Sequence, residues 1–384
     1  MTRYWRLIKS LIKLRWRILP PRQKNVLLYF RTGADVIKPY FSREEIQILD
    51  IRESEVNLAV ALLCARDRDL SAQNYALRYI NIVKPKLIIT FIDNYPPFFQ
   101  IKNKFPEIHI ILIQNGARAD PHDLFSEDSN QTHLGKNQVD DMFVLGSAIG
   151  SIYGKYISGK ITVIGSFKNN LVPINKTQSR TLAYISTHRA GIPRTFIAPD
   201  SISTHPVTYG EIVDRREQTI IFLAKFCESH NLDLLIVGKD EDFLAEEAYY
   251  SRLLNKFSWK LSSRRTSTTN YDKLDASEIV VFTSSTLGYE SLARGNKTAG
   301  FLLDAEIIPI PSLKFGWPVN LTEDGKFWTN KYNEQRFEEI LDFLLTVSDV
   351  DWEKIRSETI QEIISYDTNN SQFVELVKSL RAEW

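Results

Sequence analysis

The chain has 384 residues, more than the about 250–300 that one hydrophobic core usually accommodates, so two domains are expected. Its 43% apolar and 25% charged residues are ordinary for a soluble globular protein, and a net charge of +1 argues against nucleic acid as a partner. No apolar run approaches the ~20 residues of a membrane span. The two cysteines, Cys64 and Cys227, lie far apart in apolar helical patterns, which favours buried free thiols and a cytoplasmic location.

Residues 1–24 carry eight basic side chains and no acidic one. On a helix, Trp5, Ile8, Leu11, Ile12, Ile18 and Leu19 would share one side, and Pro20 with Pro21 would end the segment. This pattern predicts a basic amphipathic helix that contacts an anionic membrane surface, on the inner face of the cytoplasmic membrane. The alternative is that the helix packs on the protein's own surface.

From Asn25 onward, short apolar runs alternate with helical patterns, which predicts parallel sheets covered by helices on both faces. In the first half, helices are predicted at 55–66 and 72–83, and strands at 26–30, 46–51, 87–91, 108–114, 141–145 and 161–164.

The polar run from Ser166 to Arg180 predicts an interdomain linker, after which the alternation restarts. Strands are then predicted at 181–186, 232–237, 278–283 and 298–303, and helices at 210–229, 241–256, 286–293, 333–347 and 351–383. The resulting division is an N-terminal segment (1–24), two Rossmann-like domains (25–172 and 173–350) and closing helices (351–384).

The most informative local pattern is the apolar strand that runs through Ser284, Ser285 and Thr286 into a helix. The free N–H groups and the dipole at a helix N-terminus attract phosphate, and three hydroxyls add donors. Gly288 would let a ligand approach the backbone, and Glu290, placed in the first helical turn, would accept ribose hydroxyls. An ordinary serine or threonine N-cap is the alternative.

Other polar residues follow strands of the second half. Lys239 follows one strand and would neutralise a donor phosphate, although a solvated loop is equally consistent. His188 and Arg189 follow another strand and are candidates for contact with a phosphate or a sugar carboxylate. The long polar loop beyond them contains Asp200, a candidate nucleophile or base.

In the first half, polar groups end two neighbouring strands. Asp93 follows one strand and would face the cleft, since ligands of doubly wound sheets lie beyond the carboxyl ends of the strands. Gln114, Asn115 and Arg118 follow the next strand and are candidates for binding the hydroxyls of the acceptor or a sugar carboxylate. Turn chemistry is the alternative. The acidic loop from Asp120 to His133 comes next.

Several motifs are absent from the sequence. A phosphate loop of the GxxxxGK[ST] type is missing, as is GxGxxG after the first strand, which disfavours an ATPase and a dinucleotide oxidoreductase. The histidines and cysteines lack zinc spacing, and Asp140-Asp141 lacks the DxD spacing of metal-dependent sugar transferases. We therefore expect a metal-independent protein without a cofactor.

The chain resembles capsule and O-antigen glycosyltransferases of the GT-B type, in particular retaining Kdo transferases. The segments that carry this resemblance are TFIDN (90–94), IQNGAR (113–118), VDDMFVLGS (139–147), ITVIGSFKNN (161–170), YISTHR (184–189), SSTLGYESLARGNKTAGF (284–301) and FGWPVNL with FWTN (315–330). The resemblance implies two Rossmann-like domains that face a central cleft.

The resemblance also implies a nucleotide-sugar donor, CMP-Kdo or a related nonulosonate, and retention through an aspartate nucleophile. By its order along the chain that aspartate is Asp200, and the acidic residue that activates the acceptor is Glu127 or Asp93. The acceptor would be a surface polysaccharide or a lipid-linked glycan. Two alternatives stay open: a GT-B transferase with a UDP-sugar or polyol-phosphate donor, and a non-catalytic scaffold of polysaccharide assembly.

Overall fold

The structure is a computed structural model that describes residues 15–51, 55–118, 137–177, 179–199, 206–240, 242–263, 268 and 270–384. Within this part of the chain, two large sheets, covered by helices, follow one another along the sequence. The predicted α/β class is confirmed.

The first half forms one six-stranded sheet and a two-stranded ribbon. Its strands are β1 (Arg15–Arg17), β2 (Val26–Tyr29), β3 (Ile46–Leu49), β4 (Glu55–Asn57), β5 (Leu87–Thr90), β6 (His109–Ile113), β7 (Gln138–Val144) and β8 (Ser158–Val163). Its helices are α1 (Ala34–Ile37), α2 (Leu58–Arg66), α3 (Ala72–Val83), α4 (Ile101–Lys104) and α5 (Ser147–Tyr153). The sheet is parallel in the order β3-β2-β5-β6-β7-β8, and β1 pairs with β4. Strands β2 and β5 are buried throughout and apolar except for Thr90 at the end of β5, as expected for the centre of a sheet covered on both faces.

The second half forms a seven-stranded sheet. Its strands are β9 (Ser179–Ile185), β10 (Asp233–Val237), β11 (Lys260–Ser262), β12 (Ser277–Phe282), β13 (Thr298–Phe301), β14 (Asp324–Gly325) and β15 (Trp328–Thr329). Its helices are α6 (Tyr209–His230), α7 (Phe243–Leu253), α8 (Tyr271–Ala276), α9 (Thr286–Ala293), α10 (Asp304–Ile307), α11 (Glu334–Thr346), α12 (Asp349–Ile360) and α13 (Ser371–Arg381). The order is β11-β10-β9-β12-β13-β15-β14, and only the β14–β15 pair is antiparallel.

The chain passes between the two sheets twice, once before β9 and once before α13. At the first passage Asn169 and Asn170 are fully buried, and Asn170 Nδ2 donates to Asn370 Oδ1 of the second passage at 2.8 Å. The start of the predicted linker is therefore buried in the structure, because its polar side chains form hydrogen bonds with those of the second passage. Helix α13 returns to the first sheet, where Phe373 contacts Phe143 and Phe167 with ring centroids 5.6 and 5.0 Å apart.

Three predictions of local structure were wrong. Arg15–Arg17 is a strand, so the helix predicted over residues 1–24 does not extend to Pro20, and residues 1–14 lie outside the described part. Glu55–Asn57 is also a strand, because it pairs with β1. The helix predicted over 351–383 is two helices separated by residues 361–370. None of the described helices is long and apolar enough to cross a membrane.

Candidate nucleotide-binding cleft

A cavity of about 390 Å³ lies beyond the carboxyl ends of β9, β10 and β12. Ile185 and Val237 line it at two of those strand ends, and the turn from Ser284 to Thr286 lines it at the third. Ala117 and Arg118 line it from the first domain, so the cavity lies in the cleft between the two sheets. This is the location at which doubly wound proteins bind nucleotides.

The three hydroxyl residues before and at the start of α9 have different roles. Ser285 is the N-cap and its Oγ accepts from the amide of Leu287 at 3.3 Å. Thr286 Oγ1 accepts from the amide of Ala117 across the cleft at 2.8 Å. Ser284 is exposed to the cavity. The Gly288 amide bonds Ser285 O at 3.1 Å, so the turn offers the cavity the exposed Ser284 hydroxyl and the positive end of the helix dipole.

Close packing of the two domains explains one glycine of the IQNGAR segment. A Cβ atom on Gly116 would lie 2.8 Å from Thr286 Oγ1, closer than real Cβ atoms approach an oxygen. Gly116 therefore lets the Ala117 amide reach α9, which connects the first domain to the start of this helix.

The structure corrects the role predicted for Gly288 and the helix position predicted for Glu290. A Cβ atom on Gly288 would lie 2.1 Å from the Phe282 ring, so this glycine brings α9 against β12 and does not face a ligand. Glu290 is the fifth residue of α9, beyond the first turn, and it is fully buried. Its carboxylate lines the cavity and has hydrogen-bond partners within the protein, and its contact with ribose hydroxyls stays a prediction.

The Glu290 carboxylate holds the floor of the cavity together. Ser166 Oγ donates to its Oε1, and Tyr271 Oη donates to its Oε2 at 2.8 Å. Lys168 Nζ lies 3.6 Å from Oε1. Burial and the neighbouring Glu290 charge raise the pKa of Tyr271, so this phenol stays protonated and continues to donate.

The cavity is strongly cationic. Its charged lining residues comprise one carboxylate, Glu290, and five cations, Arg118, Lys168, Arg189, Lys239 and Lys314. Arg118 pairs with Asp93 at 3.1 Å and Lys314 pairs with Glu323, whereas exposed Arg189 has no ion-pair partner among the described residues. Cations around helix amides provide what a phosphate or diphosphate requires.

One wall of the cavity is apolar and aromatic. Trp317, Tyr289, Leu302 and Leu313 line it on this side. Tyr289 stacks on Phe315 with centroids 5.6 Å apart, and its Oη accepts from the amide of Gly316 at 3.0 Å. Burial raises the pKa of Tyr289 to about 12. The wall is therefore a fixed apolar surface suited to the flat face of a base.

Two predicted donor-binding residues, Arg189 and Lys239, line the cavity, but His188 does not. His188 lines a neighbouring cavity of about 210 Å³, which also includes Arg189. Its Nδ1 lies 3.2 Å from Asp240 Oδ2, and its ring packs on Tyr249 with centroids 4.6 Å apart. The Asp240 carboxylate accepts from the amide of Ala190 at 2.7 Å, and the His188 amide donates to Ser186 Oγ at 3.2 Å, so hydrogen bonds hold the loop that carries this histidine.

In the first domain, the predicted residues are only partly brought together. Arg118 Nη1 donates to Asp93 Oδ1 at 3.1 Å, and Tyr153 Oη donates to Asp93 Oδ2. Gln114 is buried, and its side chain bonds Gly116 O at 3.0 Å and the Leu145 amide at 2.9 Å. Asn115 is exposed and lies outside the cavity lining. Arg118 is thus the member of the predicted acceptor set that reaches the cavity.

Two predicted catalytic residues, Asp200 and Glu127, lie outside the described residues, so Asp93 is the one whose contacts are known. In the described part of the chain, no three histidine, cysteine or carboxylate side chains are grouped to hold a metal ion. Metal independence stays a prediction.

Sequence reasoning did not single out Lys168, Lys314, Tyr271 and Trp317 as site residues, although all four line the cavity. Lys168 follows a strand of the first sheet, in a segment interpreted as linker. Trp317 belongs to the FGWP segment, which carried the resemblance without an assigned role. For Lys168 and Trp317 the available indication was their position within segments that carried the resemblance, whereas Tyr271 and Lys314 lie outside those segments.

A family model described as "putative O-antigen biosynthesis protein" matches residues 111–381, which is more than half of the chain. The chain belongs to this family. The match starts in β6 and ends in α13, so it includes every residue that lines the cavity, whereas Asp93 lies before it. Among curated proteins, none matches this chain in sequence.

Solved structures resemble the family member over nearly its whole length. The wall teichoic acid polymerase TagF soaked with CDPG has a TM-score of 0.52 at 10% identity, covering 94% of this chain and 90% of that one. The S. aureus MnaA–UDP structure has a TM-score of 0.52 at 12% identity, covering 94% and 97%. A "putative UDP-N-acetylglucosamine 2-epimerase" from Listeria monocytogenes has a TM-score of 0.54 at 13% identity, covering 94% and 98%. At these identities the likeness shows the fold, and the predicted GT-B architecture is confirmed.

Proposed function

We propose that this protein is a glycosyltransferase that transfers a sugar from a nucleotide-activated donor to a surface polysaccharide or glycolipid precursor. The proposal rests on the interdomain cavity. Its lining contains the start of α9 and five cationic side chains but only one carboxylate, which is buried. Membership of an O-antigen biosynthesis family supports the same conclusion, because O-antigen is a surface polysaccharide.

The geometry supports distinct positions for the parts of a nucleotide donor. The phosphate would lie at the Ser284–Thr286 turn, where helix amides, Lys239 and Arg189 surround it. The base would lie against Trp317 and Leu313. As the sugar–phosphate bond breaks, the amides and cations would stabilise the charge that develops on the leaving phosphate.

The donor we propose first is CMP-linked Kdo or a related nonulosonic acid, which Arg118 would hold by its carboxylate through a bidentate contact. A UDP-sugar or a polyol-phosphate donor is the second candidate. It is favoured by two proteins of the same fold whose structures contain UDP and CDPG. A non-catalytic scaffold remains the contrasting hypothesis for a protein that binds nucleotide without turnover.

The acceptor we propose is a lipid-linked glycan, which would place the protein at the inner face of the cytoplasmic membrane. A basic membrane contact through residues 1–24 belongs to this proposal, and Arg15 to Lys24 are the described part of that segment. Metal independence and the absence of a cofactor belong to it as well.

A thermal-shift panel of CMP, UMP, GDP, UDP and ADP tests the proposal. We expect one of these nucleotides to raise the melting temperature, since a ligand at 100 times its dissociation constant adds about 2.7 kcal/mol of stability. A shift with CMP alone would support the CMP-linked donor. A shift with UDP or GDP would instead indicate a donor linked to that nucleotide. If no nucleotide changes the melting temperature, the proposed donor site is wrong.

Replacing Asp93 by asparagine tests the catalytic carboxylate. If Asp93 acts as the acceptor base, we expect turnover to fall by about 10²–10⁴-fold, the usual contribution of general base catalysis. Glycosyl transfer from the donor identified above is the measurement. Asp233→Asn, at the amino end of β10 and away from the cleft, is the matched control and should retain full turnover.

The response to nucleotide separates this role from a structural one. An Asp93→Asn protein that keeps both the nucleotide-induced shift and its turnover would show that Asp93 only holds Arg118. If the variant loses both the nucleotide-induced shift and turnover, the ion pair between Asp93 and Arg118 positions the donor.

A further inference from the structure

Large apolar side chains are exposed together on the first domain. Ile18 is 75% exposed, Leu19 77% and Leu62 62%, and Trp16 and Leu58 are also exposed. Single exposed apolar residues are ordinary on a protein surface, but a contiguous group indicates a contact site. These five residues lie on β1 and the residues that follow it, and on α2.

The contacts of β4 show that these residues are neighbours. Trp16 pairs with Val56 in the β1–β4 ribbon, and Asn57 Nδ2 donates to Leu19 O at 2.6 Å. Asn57 is also the N-cap of α2, which starts at Leu58. Leu58 and Leu62 lie four residues apart and therefore on the same face of α2. The ribbon and the helix thus form one surface.

The same surface is basic along β1. Arg15, Arg17 and Arg22 are exposed, and residues 15–24 contain no acidic side chain. Glu55 lies 2.6 Å from Arg17 Nε and 3.2 Å from Arg31 Nη2, and Arg31 also pairs with Asp50, so these two carboxylates offset these two arginines. The exposed side chains of Arg15 and Arg22 supply the positive charge beside the exposed apolar group.

A chain of ion pairs connects this surface to the cleft side of the first domain. Glu55 links Arg17 to Arg31, and Arg31 Nε lies 2.8 Å from the buried Asp50. Asp50 follows β3 directly and Arg31 lies two residues after β2, so both are at the carboxyl ends of strands of the first sheet. The exposed apolar surface is therefore next to the edge of the domain that faces the cleft.

We propose that this docking surface, formed by Trp16, Ile18, Leu19, Leu58 and Leu62 with Arg15, Arg17 and Arg22, binds an anionic lipid bilayer. Tryptophan and leucine insert at the boundary between headgroups and acyl chains, and arginine side chains reach anionic headgroups while their stems stay apolar. The surface would hold the cleft edge close to a lipid-linked glycan. This inference rests on the membrane contact in the proposed function and extends it to α2. Binding to lipid does not require the transfer reaction, so the vesicle test can fail while nucleotide binding and transfer stand.

Co-sedimentation of the full chain with vesicles tests the inference. We expect binding to vesicles of phosphatidylcholine with phosphatidylglycerol, and weaker binding to phosphatidylcholine alone. The double variant Ile18→Asp with Leu19→Asp should bind the anionic vesicles at least about tenfold more weakly, because two apolar side chains no longer insert. Leu62→Asp should also weaken binding, which shows that α2 belongs to the surface.

The control is Leu244→Asp, which makes the same change at a leucine that is 74% exposed on α7 of the second domain. It should bind vesicles like the unchanged protein. Circular dichroism and the nucleotide-induced shift show whether each variant is folded.

Equal vesicle binding by the unchanged protein and the double variant would overturn the inference. A second result would also overturn it. If the unchanged protein does not bind lipid but sediments as a dimer, and the double variant sediments as a monomer, the surface binds a second copy of the chain instead.

Discussion

Replacing Arg294 by methionine should lower the free energy of unfolding by about 3–5 kcal/mol, because it leaves a buried carboxylate without its cation. The side chains of Arg294 and Asp275 are 0% and 1% exposed. Arg294 Nε donates to Asp275 Oδ1 at 2.8 Å, and its Nη atoms donate to Val172 O and Pro173 O, both at 2.9 Å. One guanidinium therefore fixes the passage between the domains against α8 and α9.

Urea unfolding followed by circular dichroism measures the effect. The matched control is Arg180→Met, which removes an exposed pair with Glu278 at 3.1 Å. Exposed pairs contribute about 0–1 kcal/mol, so this variant should unfold almost as the unchanged protein does. Equal losses in the two variants would show that burial of Arg294 does not matter.

The pH dependence gives an independent check of the same pair. Desolvation raises the pKa of Asp275, but hydrogen bonds from Arg294 and the Asn175 amide, together with the charges of Arg294 and Lys176, outweigh it and lower the pKa in the folded protein. The group therefore stabilises the fold above its unfolded pKa of about 3.9. That contribution is lost as the pH falls through the folded pKa. In Arg294→Met the buried carboxylate is favoured in its neutral form. Acidification should therefore reduce the difference in stability between the two proteins.

Much of the fold could be predicted from the sequence, because buried parallel strands are short apolar runs and helices carry local end signals. The helix Ala72–Val83 begins after its N-cap Ser71, and the predicted and observed bounds are identical. The same holds for Thr286–Ala293 after Ser285. In both cases the serine supplies a cap that depends only on neighbouring residues.

Contacts between distant segments could not be predicted. Arg15–Arg17 alternates basic and apolar residues, and it becomes a strand because it pairs with Glu55–Asn57, about forty positions away. Helix α13 belongs by sequence to the second half, yet Phe373 packs on the first sheet. These elements depend on tertiary partners that no local pattern reveals.

The candidate site shows the same division. The start of α9 was recognised because a strand, three hydroxyl residues and a helix follow one another directly. The use of Thr286 to hold Ala117, and of Glu290 to hold Ser166 and Tyr271, depends on chain segments brought together only by folding. Residue types along the sequence therefore predicted where the site lies better than they predicted the role of each side chain.

The sharpest test of the phosphate position is to replace Ser285 by aspartate. Aspartate is as good an N-cap as serine, so α9 and the melting temperature should be preserved. The new charge would lie at the turn where we place the donor phosphate. Two unit charges about 4 Å apart at an effective dielectric constant of ~20 repel by about 4 kcal/mol, so nucleotide affinity should fall about a hundredfold or more.

Ser285→Asn is the matched control, because asparagine has nearly the same shape and caps a helix equally well without a charge. Isothermal titration with the nucleotide identified in the thermal-shift panel compares the two variants. Weak binding by Ser285→Asp beside near-normal binding by Ser285→Asn would assign the loss to electrostatic repulsion at the start of α9. If both variants bind equally well, the phosphate does not lie at this turn. A donor held elsewhere in the cleft would then have to use Arg118 and Lys168, which lie on the side of the first domain.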